Sequence, residues 1–298
     1  MTANRSARIF LPALALGALL LLSASFAEAS HAWGPYHWAR TANPFTLNLG
    51  DNVGTAWDAY LATASADWSA DPGVLYPGKG VGKVLGTTVV AGNGTRNCQA
   101  TSGTVQVCNK TYGNNGWLGI ASIWISGTHI TQGTVKLNDT YFNTSTYNKP
   151  AWRNMVMCQE IGHTFGLDHQ DTNFYNANLG TCMDYTNDPA RNDGAGDNKH
   201  PNFHDYEELS IMYGHFDSFN SFKVLAASKG SAASAASGDI DTSDRKEWGR
   251  AIRTSRDGRE SLFESVQANG DTIYTFVIWA NESTPRDRGE REERGGRN

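Results

Sequence analysis

The chain has 298 residues, with 25 Lys and Arg against 30 Asp and Glu, and a formal charge of −5. Acidity this mild leaves no electrostatic footprint for nucleic acid and argues only for solubility. Four cysteines, Cys98, Cys108, Cys158 and Cys182, are an even number, which in an exported chain reads as two disulfides.

Arg5 and Arg8 precede an apolar run, Ile9 to Leu22, and Ala27-Glu28-Ala29 offers a small-x-small cleavage site before Ser30. Cleavage after Ala27 is the alternative. The run is short of the ~20 residues that span a bilayer, so residues 1–29 read as a secretory signal peptide. Their removal takes away Arg5, Arg8 and Glu28 and leaves a charge of −6. No later segment is apolar for long enough to cross a membrane. The expectation is an exported protein without stable membrane insertion, with a monomer as the default.

Residues 30–221 read as one globular domain. Val53, Trp57, Tyr60, Leu61, Ala64 and Trp68 recur at helical spacing, which predicts a helix from Asp51 to Trp68, closed by Asp71-Pro72-Gly73. Short β-rich runs follow at Lys83–Val90, Thr104–Val107, Gly119–Ser126 and Thr134–Phe142, separated by Gly and Asn. Pro150 opens a helix where a missing N–H is harmless, running through Met155, Cys158 and His163 to Gly166. A last helix spans Asp205 to Tyr213 and stops at Gly214. Residues 222–247 hold an Ala/Ser/Gly tract, Ala226–Gly238, that reads as a linker. Residues 248–282, with a strand at Thr272–Ala280, form a small β-rich appendage that either docks or stays marginal. The charged, Gly-rich residues 283–298 read as a disordered tail.

The chemistry is concentrated in Gln159-Glu160-Ile161-Gly162-His163-Thr164-Phe165-Gly166-Leu167-Asp168-His169, with Met183 and Tyr185 downstream. Positions four apart share a helix face, so Gln159 and His163 point to one spot. Glu160 sits one step round. Gly166 permits a left-handed turn that ends the helix and lets His169 approach the same spot. Two imidazoles so spaced, with a carboxylate beside the first ligand position, are a strong zinc signal. Of the three cysteine pairings, Cys98–Cys108 with Cys158–Cys182 is favoured. The second would tie the residue before Gln159 to the residue before Met183.

This stretch resembles the zinc-binding pattern of the metzincin metallopeptidases, His-Glu-x-x-His-x-x-Gly-x-x-His with a downstream methionine turn. The resemblance is closest to the matrixins and matrixin-like bacterial secreted peptidases and covers most of residues 33–214. It implies an α+β fold: a twisted, mainly parallel mixed sheet with one antiparallel edge strand, the active-site helix, the methionine turn and a C-terminal helix. Trp117-Leu118-Gly119-Ile120-Ala121 resembles the edge strand that pairs with extended substrate, Thr134–Phe142 the next strand, and Asp205–Leu209 with Met212-Tyr213-Gly214 the closing helix. By the same resemblance His163 and His169 are zinc ligands, Glu160 the general base and Met183 the apolar floor. Tyr185 matches a tyrosine that astacin- and serralysin-like members place near the metal, where it could donate to an oxyanion; the alternative is a core aromatic.

Gln159 stands where the family has its first histidine. An amide oxygen can ligate zinc but is a poorer donor than imidazole and cannot become anionic. The site then binds zinc more weakly yet catalyses, or prefers an oxygen-tolerant metal, or has become a binding cleft. Asp168 or Asp171 could replace Gln159 as third ligand. Calcium at the loop carboxylates is unsupported by any EF-hand spacing. The Pro-Arg-Cys-Gly prosegment and the structural-zinc histidines of matrixins are missing. His129 reads as a surface or strand residue, and His200, His204 and His215 as solvent-facing or capping groups. The expected function is a secreted zinc-dependent endopeptidase acting on protein or peptide substrates. The rivals are a module that binds extended peptides without cutting them, and a protein whose function resides in Trp248–Glu282.

Overall fold

Branched and aromatic side chains in short runs between Gly and Asn build one mixed sheet among the described residues. The computed structural model describes residues 31–95, 97–223 and 241–280. The expected signal peptide, the Ala226–Gly238 tract and the tail at 283–298 lie outside the described residues. β1 (His37–Trp38), β2 (Phe45–Asn52), β3 (Leu85–Ala91), β4 (Val105–Lys110) and β6 (His129–Asn138) are parallel in their pairings. β5 (Trp117–Ser126) runs antiparallel to β6. The spatial order is β3-β2-β4-β6-β5, with β1 on β6. α1 (Asp58–Trp68) and α4 (Pro150–His163) pack on each other, and the short α2 (Pro72–Leu75) and α3 (Asp139–Phe142) and the capped α5 (Phe203–Met212) complete the helices among the described residues. The fold is α+β with a mixed sheet.

The helix expected from Asp51 starts seven residues later, because Asp51 and Asn52 belong to the end of β2. The Asp51 side chain accepts from the Val53 amide at 3.0 Å, which turns the chain out of the strand. β2 itself was hidden in the sequence by Asn48 and Gly50, which interrupt its apolar alternation. The strand expected through Phe142 stops at Asn138. There the Asn138 side chain accepts from the Thr140 amide at 3.1 Å and caps α3.

A larger correction concerns β5. It is not an edge. Residues from the C-terminal segment, β7 (Arg250–Thr254), β8 (Glu260–Val266) and β9 (Thr272–Trp279), extend the same sheet past it in the order β5-β9-β8-β7. β9 pairs antiparallel with β5 from Trp117↔Trp279 to Ile125↔Thr272. Both edges of β5 are therefore paired, and its two faces are separately buried in two clusters, which accounts for its nearly unbroken apolar run. Leu118, Ala121 and Ile123 join the main core, whereas Trp117 and Ile120 join a smaller cluster with Trp248, Phe263, Val277 and Trp279.

Cys98–Cys108 and Cys158–Cys182 are both bonded, and no cysteine is free. No helix among the described residues is long and apolar enough to cross a membrane. α4 is held from α1 by Trp68, whose indole donates to the Cys158 carbonyl at 3.0 Å, and by Arg153, whose guanidinium lies 4.4 Å over the Trp57 ring.

The C-terminal segment is also joined to the sheet by charge. Lys136 of β6 is fully buried, and its Nζ reaches Asp241 Oδ1 at 3.0 Å. Removing the anion leaves a buried ammonium without a partner. Asp241→Asn is expected to lower the unfolding free energy by about 2 kcal/mol, less than for a fully buried pair because Asp241 is 43 % exposed. Lys136→Met in the same background restores most of that loss. Urea titrations of the three chains test this, and a double variant no better than Asp241→Asn refutes it.

Candidate functional site

α4 brings the sequence-predicted residues together. Pro150 starts it, and Gln159, Glu160 and His163 fall on its last turn, all buried. Gly166 follows with φ +102°, a conformation that L side chains rarely adopt. A Cβ there would also come 2.4 Å from the Tyr36 carbonyl oxygen. This turn brings His169 back so that its Nε2 lies 3.0 Å from Nε2 of His163.

The tautomers follow from the partners. His163 Nδ1 lies 2.8 Å from the Leu167 carbonyl, which can only accept, so the proton is on Nδ1 and the lone pair on Nε2. His169 Nδ1 faces Asp168 Oδ1 at 3.4 Å, and that carboxylate favours a proton on the same nitrogen. With its own proton on Nε2, His169 donates to His163 across this 3.0 Å contact; with the proton on Nδ1, the two Nε2 lone pairs face each other. Burial pushes both imidazoles toward the neutral form, His163 well below its usual value, which keeps both rings available as metal donors.

Gln159 supplies a third oriented donor. Its Nε2 donates to the Cys182 carbonyl at 2.7 Å, which fixes the amide flip, and its Oε1 is buried without a partner. Glu160 is fully buried, and both carboxyl oxygens lack partners. Desolvation holds its carboxyl well above the usual range, only partly opposed by the Ala121 backbone. β5 passes directly over it, since a Cβ on Gly119 would meet Glu160 Oε1 at 2.8 Å. Two neutral imidazoles, one amide oxygen and an orphaned carboxyl suit a borderline divalent cation of the zinc kind.

Met183 lies under the helix, its sulfur 2.6 Å from where a Cβ on Gly162 would stand. Its turn is held by Asp205 of α5, a fully buried carboxylate. Asp205 accepts from Thr181 Oγ1 at 2.6 Å and Gln170 Nε2 at 2.8 Å, with His31 Nε2 at 3.1 Å. Thr181 Oγ1 in turn accepts from the Met183 amide at 2.9 Å. Tyr185 is buried, its hydroxyl pushed well above the usual phenol range by desolvation, and it donates to the Val277 carbonyl at 3.3 Å.

Asp168 and Asp171, the alternative third ligands, are otherwise engaged. Asp168 accepts from the His169 amide at 2.8 Å and is ion-paired with Arg253. Asp171 accepts from the Asn173 amide and from Asn176. His200, His204 and His215, read as solvent-facing or capping groups, each have a separate partner, with His200 and His215 exposed and His204 half-buried. His200 binds Asp67 at 2.7 Å, His204 stacks on His31, and His215 meets His37 at 3.1 Å. His129 and His37 both face Asp217, at 3.1 Å and 3.5 Å, at the far end of β5 from Glu160. Arg40 neutralises that carboxylate at 3.2 Å, so the group is charge-balanced without a metal.

Sequence reasoning passed over three groups at the site: the Cys182 carbonyl, Arg253, and Phe276. The Phe276 ring stacks on the His163 imidazole at 4.2 Å with an interplanar angle of 8°. No local pattern marks any of them. Only the apolar run of β9 gave a signal, and it pointed to a strand without its place. No protein-family model matches this chain, and none of the curated proteins matches it.

The loop beside the site carries a pH-dependent cost. Asp184 is buried; its Oδ2 accepts from the Leu179 amide at 2.9 Å and Asn198 Nδ2 at 2.8 Å, and Oδ1 has no partner. Burial pushes its carboxyl from 3.8 up to about 6. The folded chain thus holds a proton that the unfolded chain releases, and stability falls as pH rises from about 4 to 6. Asp184→Asn removes this dependence. Relative to that variant, the parent chain is expected to lose roughly 2 kcal/mol between pH 4 and pH 7. Denaturant titrations at the two pH values check it, and a difference that does not change with pH refutes it.

Proposed function

We propose that this chain is a secreted, zinc-dependent endopeptidase of the metzincin type, with Gln159, His163 and His169 as ligands and Glu160 as general base. The observation that carries the reading is the approach of two buried imidazoles, Nε2 to Nε2 at 3.0 Å, beside two orphaned acceptors, Gln159 Oε1 and the Glu160 carboxyl. Such a set is costly to bury unless something electrophilic shares it. Zinc held there would supply Lewis-acid polarisation of a peptide carbonyl.

The rest of the chemistry belongs to the chain. Glu160 takes a proton from the attacking water and returns it to the leaving amine nitrogen. A carboxyl whose proton affinity is raised by burial is suited to both halves of that transfer. Tyr185 O–H donates to a backbone carbonyl at the pocket, the position from which it would stabilise a developing oxyanion. Asp168 keeps the His169 proton on Nδ1, and the Leu167 carbonyl does the same for His163. The edge of β5 that would orient an extended peptide is paired with β9 in this structure.

The competing reading, a cleft that binds extended peptides without cutting them, is favoured by one observation: Glu160 is dry and covered. Hydrolysis of an unfolded protein separates the two. Glu160→Gln is expected to lower the rate by at least about 100-fold while the zinc content of the purified chain is unchanged. Gln159→His is expected to raise zinc affinity and retain cleavage. Parent and Glu160→Gln chains with equal residual rates would sink the peptidase reading and leave the binding cleft.

A further inference from the structure

The sheet carries a strand where the site should be open. β9 runs antiparallel along β5 with Ala121 opposite Phe276, and alternate residues Tyr274, Phe276 and Ile278 turn into the main core over α4. Phe276 lies flat on a ligand imidazole, His163. The Val277 carbonyl takes the Tyr185 hydroxyl. Arg253, on β7, ion-pairs with Asp168, the carboxylate behind His169. Three of the site's side chains are thus engaged by the three-stranded C-terminal segment β7–β9, through an imidazole face, a hydroxyl and a carboxylate.

From this geometry we infer that β9 is a built-in pseudosubstrate: it occupies the peptide-binding face of β5 and closes the pocket of Glu160, His163 and His169 until it is displaced. The inference rests on the reading of that pocket as a peptide cleft. Addition of an extended segment to a strand's hydrogen-bonding edge is a general mode of peptide recognition, with backbone bonds giving affinity and alternate side chains giving specificity. β9 meets both conditions. It also names the substrate class: extended segments with aromatic or branched aliphatic side chains at alternate positions, an aromatic one seated against His163.

The contact is also poorly compensated. The pocket that β9 helps to close, through Phe276 on His163, holds a carboxyl with two unpaired oxygens under β5, a burial that costs free energy unless a partner is found. Departure of β9 returns Glu160 to water and removes that cost. Beyond β9 the hairpin ends in β7, whose residues are mostly exposed, so its outer side adds little to its hold. The latch is the Arg253–Asp168 pair, made by an arginine that is itself about one-third exposed.

Three forms of the full mature chain test the inference, all carrying Glu160→Gln so that nothing is cut. One has no further change. The second is loosened by Arg253→Ala with Phe276→Ser. The third is locked by Ser122→Cys with Thr275→Cys, at opposed positions whose hydroxyls lie 3.2 Å apart. The probe is a fluorescent peptide containing Tyr-Thr-Phe-Val, read by anisotropy, which needs no metal. The loosened chain is expected to bind at least tenfold tighter than the unchanged one, and Arg253→Ala alone, which leaves the core intact, to move in the same direction. The locked chain does not bind until reduced, and the same reductant leaves the unchanged chain unaltered. A Tyr-Thr-Gly-Val probe binds the loosened chain at least tenfold more weakly.

Equal affinity in all three forms, including none in any, overturns the pseudosubstrate. Equal affinity for the two probes overturns the assigned substrate class. The same variants with Glu160 restored report separately on hydrolysis. Binding gained on loosening without any cleavage leaves the pseudosubstrate standing and removes the peptidase. Cleavage at equal rates in locked and loosened chains does the reverse.

Discussion

The site depends on Cys182. Its sulfur bonds Cys158 on α4, and its carbonyl takes the amide N–H of Gln159, the next residue along the helix. One residue of the downstream turn therefore fixes both the helix and the direction in which Gln159 aims its oxygen. A glutamine has two ends of nearly equal shape, so it is a defined donor only when one end is anchored. The carbonyl supplies that anchor. Cys182 also precedes Met183, so the covalent tie sets the height of the methionine under the helix.

The turn is in turn held by α5. Asp205 is a buried carboxylate that gathers Thr181, Gln170, His31 and the Asn202 amide, the last as the return half of a capping box. A buried carboxylate survives only when its lone pairs are filled. Here the filling comes from the N-terminal edge of the described chain, from the segment after His169, and from the methionine turn. Helix capping, turn geometry and anchoring of the N-terminal segment are one electrostatic problem with one solution. Glu160, on α4, is treated oppositely: equally buried, its carboxyl oxygens make no hydrogen bond of ordinary geometry, and only the Ala121 backbone is near enough to ease the burial. The contrast between a filled and an empty carboxylate in one fold is the one expected of a structural acid beside a proposed reactive one.

Much of this was legible in the residues. The ligand spacing, the positive-φ Gly166, Pro150 at the helix start and both disulfides follow from local rules, and the structure has α4, the turn and the cysteine pairs where those rules put them. Local rules failed where a side chain redirected the backbone, as at Asp51 and Asn138, and where apolar alternation was broken, as in β2. They failed most at long range. That Thr272–Trp279 is a strand could be read from its β-branched and aromatic content. That it lies on β5, with Phe276 against His163, could not, because strand pairing carries no signature in either strand alone. The unbroken apolar run of β5 was the available clue: a strand with one bare edge and one wet face would alternate.

The ligand set has a further consequence for charge. Gln159, His163 and His169 are all neutral donors, so a divalent cation bound there would keep its double charge. The anions near it are Asp168, ion-paired with Arg253, and Glu160, whose proton affinity burial raises. Cation binding and Glu160 ionisation are therefore the same event seen from two sides: each lowers the cost of the other. A histidine at 159 would strengthen donation without adding charge, so this coupling survives the substitution. Under β9 the carboxyl can stay neutral and the strand apolar. With β9 gone, water and a cation can reach Glu160 and the carboxyl can ionise. The strand's position and the ionisation of Glu160 would thus oppose one another, and on the proposed reading a closed apolar cleft and an open reactive one would be two states of the same residues.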